Sequence, residues 1–142
     1  MKKLSVLLLA LALCACGAKT TKGTGEAVYD NYGTEAKVTA EVTLKDGKIE
    51  SIYIDETYPD KETGEMSTKK TLKEKYDMKK ASPIGKEWYE QVETLEGLLK
   101  GTDGKIALDE TGKATDADVL AGCTINLTHI QEAIDNAIKN AK

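Results

Sequence analysis

Between residues 37 and 44 the chain alternates strictly: Val38, Ala40, Val42 and Leu44 fall on one side of an extended backbone, and Lys37, Thr39, Glu41 and Thr43 on the other. Asp46-Gly47 follows with turn chemistry, and Ile49 to Ile54 is rich in β-formers, so 37–55 predicts a β-hairpin. GEAVYDNY (25–32) adds a third strand before it. DETYPDKETGEM (55–66) has the composition of a loop, with Pro59 and Gly64 among acids. The apolar period then lengthens. A first helix is expected over Ser67 to Lys79. A second opens with Ser82 as cap and Pro83 in the first helical position, carries Ile84, Trp88, Val92, Leu95 and Leu99 at spacings of three to four, and stops at Gly101. DGKIALDETGK (103–113) offers a short strand at Ile106 to Leu108 between two turns. The last helix starts near Thr128, which forms a capping-box pattern with Gln131, and places Ile130, Ile134, Ala137 and Ile138 on one side. Strands first, helices next, then a strand and a helix predict an α+β fold, a small antiparallel sheet with helices packed on it.

The N-terminal end stands apart from this pattern. MKK followed by LSVLLLALALCA is a charged and then apolar stretch of signal-peptide length, too short to cross a bilayer as a helix. Leu13-Cys14-Ala15-Cys16-Gly17 resembles a bacterial lipobox; Cys16 is the better acceptor, because Cys14 would leave bulky Leu13 in the position before the cut. The alternative is an ordinary signal peptide with two incidental cysteines. A lipobox implies cleavage after residue 15, acyl chains (palmitate among them) on Cys16, and a lipid-anchored protein facing outward from a cell membrane, at a monoderm surface or in a periplasm. Residues 16–25, small and polar, then read as a flexible tether, and 26–142 as a single domain.

Composition narrows the chemistry. Removing residues 1–15 takes two lysines and no acids, which leaves 18 basic and 24 acidic residues and a formal net charge of −6. That balance argues against nucleic acid as a partner. All 20 basic residues are lysine, so the planar guanidinium fork for carboxylate or phosphate is missing. With Cys14 removed and Cys16 acylated, Cys123 has no internal disulfide partner. There is no CxxCH, no cysteine cluster and a single histidine, His129; the acidic loop at 55–66 lacks the DxDxDG spacing of a calcium site. The sequence predicts no metal site.

The segment DADVLAGCTINL (116–127) interrupts an apolar run with a small-residue turn before the last helix. Three readings compete for Gly122-Cys123-Thr124. Cys123 as a nucleophile with His129 as base is opposed by the spacing and by the absence of a third orienting residue; among Val119, Leu120, Ala121 and Ile125 it reads as a small buried hydrophobe. A purely structural turn between strand and helix, with Thr124 satisfied locally, is the second reading. The third comes from a resemblance, which implies a phosphate at the turn with the backbone amides of Gly122 to Ile125 as its donors and the glycine permitting close approach.

Asp118-Val119-Leu120-Ala121-Gly122-Cys123-Thr124 is similar to the motif of the FMN-binding domain family: Asp, two spacers, Ser or Thr, Gly, Ala or Ser, and Thr, ahead of a short apolar segment and a helix. The match holds at Asp118, Gly122 and Thr124 and departs at Ala121 and Cys123, where small residues replace small residues. AEVTLKDGKIESIYIDET (40–57) and GKEWYEQVETLEGLL (85–99) resemble the family's opening hairpin and the helix of its lipoprotein members. The resemblance implies FMN joined by a phosphodiester bond to Thr124 through a separate FMN transferase, with FAD as donor, so that the chain is substrate and not enzyme in that step. It implies flavin contacts at Gly122, Cys123 and Ile125, transferase recognition at Asp118, flavin neighbours at Glu56 and Thr57, and an aromatic wall at Trp88 or Tyr89, where Trp88 also reads as core. The implied role is an electron carrier in extracellular electron transfer, between a membrane quinol or NADH oxidoreductase and extracellular acceptors. The alternative is a binding or adhesion lipoprotein of the same fold without flavin.

Overall fold

The alternating segment forms the second strand of a four-stranded antiparallel meander. Its strands run in the order β1 (Thr20–Asn31), β2 (Thr34–Lys45), β3 (Lys48–Pro59), β4 (Met66–Thr68) in a computed structural model that describes residues 17–142. The signal peptide and the acylation site assigned to Cys16 lie outside the described residues. Lys45 pairs with Lys48 across a turn in which Asp46 and Gly47 take φ of 51° and 77°, the left-handed conformations a two-residue hairpin needs. A bulge between Thr43 and Leu44 lets both Ile49 and Ile52 face inward although they stand three residues apart. Thus Ala27 of β1, Val38, Ala40, Val42 and Leu44 of β2, and Ile49, Ile52 and Ile54 of β3 line one face.

That face is covered by α2 (Trp88–Leu99) and α4 (Thr128–Asn140), with α1 (Lys69–Leu72), a 3₁₀ turn (Lys73–Tyr76) and α3 (Ala117–Gly122) at the edges. The core joins the inward strand residues to Trp88, Val92, Leu95 and Leu99 of α2 and to Ile130, Ala133, Ile134 and Ala137 of α4. A fully buried Leu95 or Ile134 each contributes about 1.5–3 kcal/mol over an exposed one. The expected α+β class, a sheet with helices on it, is the observed one.

Several expected elements differ. β1 starts at Thr20, so the stretch assigned to a tether supplies the first half of a strand. Its glycines are there for contact: an added Cβ on Gly25 would lie 2.1 Å from Ala137 N and 2.2 Å from Ala133 O, so α4 rides directly on the strand backbone. Asn136 and Asn140 donate to the carbonyls of Glu26 and Thr24 at 2.9 and 3.0 Å, and Lys22 and Lys142 exchange backbone hydrogen bonds, which closes the sheet's β1 edge. Half of the loop read at 55–66 is strand: β3 continues to Pro59, residues 60–65 form the connecting turn, and β4 begins at Met66. In place of a helix over Ser67 to Lys79 stand β4, the single turn of α1 and the 3₁₀ turn.

α2 begins at Trp88, not at Pro83. Its cap is Glu87, whose carboxylate accepts from the first turn while Glu90 accepts from Glu87 N at 2.8 Å, a capping box built from two glutamates. Ser82 instead receives the side-chain amide of Gln91. At α4 no Thr128 to Gln131 box forms: Asn126 accepts from Thr128 N, and Gln131 reaches across to Ile106 N at 2.9 Å. That contact takes the backbone of the strand expected at Ile106 to Leu108, which is reduced to one bridge between Leu108 and Ala114.

Candidate functional site

Strand alternation puts Glu56 in phase with Ile52 and Ile54, so a carboxylate ends the apolar stripe of β3 and points inward, 5% exposed. Burying that charge requires partners. Lys69, the first residue of α1 and equally buried, brings Nζ to 2.7 Å from Glu56 Oε1, and the Tyr29 hydroxyl of β1 donates to the same oxygen. Burial and the Glu56 hydrogen bond push the Tyr29 phenol well above its ordinary pKa. The other face of Tyr29 is stacked on His129 of α4, with centroids 4.1 Å apart and planes 6° from parallel. Around Lys69 stand the rings of Tyr76, Trp88 and Tyr58 at 4.9, 5.2 and 5.9 Å from Nζ.

These residues line an open cleft of about 490 Å³, whose walls include Tyr29, Glu56, Lys69, Tyr76, Met78, Trp88, Ile125 and His129. Both its volume and its mixture of rings, one methionine and a few convergent polar groups suit a small planar ligand. β1, β3, α1, α2 and α4 each contribute a residue.

One wall is the segment just after Thr124. Leu127 N donates to Gly112 O at 2.7 Å and Asn126 Nδ2 to Thr111 O at 2.7 Å, so the 109–115 loop braces the stretch that carries Ile125 and Asn126 into the cleft. Thr124 is half-buried beside them and is held by Gln91, a fully buried side chain of α2. Gln91 Oε1 accepts from Thr124 N at 2.8 Å and from Thr124 Oγ1 at 3.3 Å, while its amide donates to Ser82 Oγ and Lys86 O. Every polar atom of that amide is thereby used.

The turn itself departs from expectation. Residues 117–122 form α3, so Gly122 closes a helix where a strand was expected, and an added Cβ would meet Thr94 Cγ2 at 2.5 Å. The glycine allows α3 to lie against α2. Cys123 N donates to Val119 O within the turn, and Thr124 N donates across to Gln91 of α2. Those two amides are already engaged. Cys123 is fully buried, and burial pushes its thiol up to about 11 against the weaker opposing pull of the Ile125 amide. His129 points to Tyr29 and Glu132, so the cysteine has no base and remains a neutral filler.

Of the residues singled out by sequence, Glu56, Trp88 and Ile125 meet in the cleft, with Thr124 adjoining it. Thr57 does not reach it: one step from Glu56, it faces the opposite side, where its hydroxyl accepts from Lys37 N at 2.9 Å. Asp118 is exposed in the first turn of α3, beside Leu98 and Val119. Tyr89 turns outward and donates to Glu74, which raises its phenol to about 12. Tyr29, Lys69, Tyr76, Gln91 and His129 had no assigned cleft role. Tyr29 shares parity with buried Gly25 and Ala27, a legible signal; Lys69 lies in a run of lysines with none.

No curated protein and no solved structure matches the chain. A family model, described as the FMN-binding domain, matches residues 33–139, which span β2 to α4 and so every cleft wall except Tyr29 of β1. By that match, over most of its length, the chain belongs to the FMN-binding domain family.

Proposed function

We propose that this flavin-binding protein carries FMN covalently on Thr124, is anchored through Cys16 to the outer face of a membrane, and works as an electron carrier between a membrane quinol or NADH oxidoreductase and extracellular acceptors. The observation that carries the reading is the junction of Thr124 with the cleft: the residue after the acceptor hydroxyl already forms its wall. The wall chemistry fits a flavin. Trp88, Tyr76 and the stacked Tyr29 and His129 present aromatic surface, and Lys69 supplies one buried cation.

Bound FMN supplies one- and two-electron transfer at a chain that has no haem motif and, with Cys14 removed and Cys16 acylated, no cysteine pair of its own. The protein's contribution is attachment and surroundings. Thr124 Oγ1 is the acceptor: with FAD as donor, a separate FMN transferase forms the bond from this oxygen to the flavin-side phosphorus, breaks the pyrophosphate and releases AMP with the hydroxyl proton. Gln91 Oε1 holds that hydroxyl in one orientation beforehand. Cys123, neutral and enclosed, stays out of the chemistry. Covalent attachment keeps the cofactor where free FMN would diffuse away.

The test is co-expression of the full chain with an FMN transferase, followed by denaturing electrophoresis. Fluorescence that survives denaturation and disappears in Thr124→Ala is the expected result. A non-fluorescent band under active transferase overturns it, and leaves the reading of a binding or adhesion lipoprotein.

A further inference from the structure

We infer that Lys69 is the residue that sets the reduction potential of the cleft, by holding a positive charge against the flavin; this rests on the flavin reading above. Lys69 is 6% exposed, in a wall otherwise made mostly of rings and apolar side chains. Among the described residues its ammonium has a single ion-pair partner, Glu56 Oε1 at 2.7 Å. One contact leaves donors on a group that carries three, and these face Tyr76, Trp88, Tyr58 and the open cleft. The positioning is specific. Lys69 is fixed by β4 on one side and by the turn of α1 on the other, and Thr68 caps that turn by accepting from Thr71 N.

A buried ion pair is by itself a poor stabiliser, because desolvation of both charges offsets their attraction. In a cleft that receives electrons it has a further consequence. Two electrons and one proton, taken from a reductant, convert the neutral oxidised ring into a reduced ring with one negative charge at neutral pH. A cation within a water-poor wall favours that product over the oxidised form, and charge near the ring is one of the means by which proteins tune flavins. Glu56 holds the cation in place, and Tyr29, by donating to the same oxygen, takes up part of the carboxylate charge. Lys69 therefore acts as a positioning and potential-setting residue, outside the attachment chemistry at Thr124.

The experiment uses the full chain, co-expressed with an FMN transferase and purified in detergent, with its midpoint potential measured by anaerobic titration with dithionite. Lys69→Met is expected to shift the equilibrium at least tenfold toward the oxidised form, a drop of about 30 mV for a two-electron couple. Lys69→Arg, which keeps the charge, is expected to stay within threefold of the parent. A potential unchanged in Lys69→Met, with flavin attached and the melting transition intact, overturns the inference and leaves the flavin reading standing. If Lys69→Met does not fold, the parent alone decides: its potential when folded should exceed that of the same covalent flavin on the chain unfolded in urea, and a lower value overturns the inference. Absence of attached flavin in the parent removes the flavin reading and this inference with it.

Discussion

At the scale of single residues, the two that carry the 122–124 turn have exchanged the roles their chemistry first suggests. Cys123 is the reactive type, yet it is sealed among apolar neighbours with its thiol raised to about 11. An alkylating reagent at pH 8 should leave it untouched in the native protein and modify it rapidly in urea. The same shift predicts alkaline sensitivity. The unfolded thiol ionises near 9 and the folded one near 11, so stability is intact below pH 9 and falls by on the order of 2 kcal/mol as pH climbs to 11, measured by thermal melts across that range. Thr124, an ordinary residue, is held at its amide and hydroxyl by one buried glutamine. Gln91→Leu should cost about 1–3 kcal/mol in chemical denaturation, because Thr124 N and Ser82 Oγ both lose a partner. Neither the Gln91 contact to Thr124 nor the Lys69 pair with Glu56 was legible in the sequence, since they cross 33 and 13 positions respectively.

Among the elements, period and turn chemistry predicted the β2–β3 hairpin, α4 and most of α2, where alternation or three-to-four spacing coincides with burial. They failed where side chains from elsewhere satisfy the backbone. Ser82-Pro83 reads as a helix start, but the observed cap, Glu87, lies five residues beyond Ser82 and uses a carboxylate that also accepts from Met78 N and Lys79 N. Glycine misled in the other direction: Gly23 and Gly25 read as flexible, whereas they admit α4. Gly25→Ala should therefore destabilise by about 1–3 kcal/mol in denaturant melts, since backbone atoms of α4 occupy the space. At the α2–α3 contact the obstacle is a single methyl. Gly122→Ala should be destabilising alone and largely relieved by Thr94→Ser, which removes the Cγ2 that the new Cβ meets; a cycle with purely additive costs would contradict this account of the glycine.

Over the whole molecule, the fold gathers residues from β1, β2, β3, α1, the 3₁₀ turn, α2 and α4 into one cleft and ends a helical turn with a threonine at its edge. The family was legible because its hairpin, its helix and its acceptor segment are each local in sequence. The cleft was not, because Tyr29, Glu56, Lys69 and His129 meet only once β1, β3, α1 and α4 are assembled. Covalent FMN on Thr124 is the central claim, and one peptide decides it. Trypsin cuts after Lys113 and Lys139, which isolates residues 114–139 with three threonines, Thr115, Thr124 and Thr128. After co-expression with an FMN transferase, fragmentation of this peptide by mass spectrometry should place one FMN phosphodiester on Thr124. An unmodified peptide, or the adduct on Thr115 or Thr128, would contradict the account.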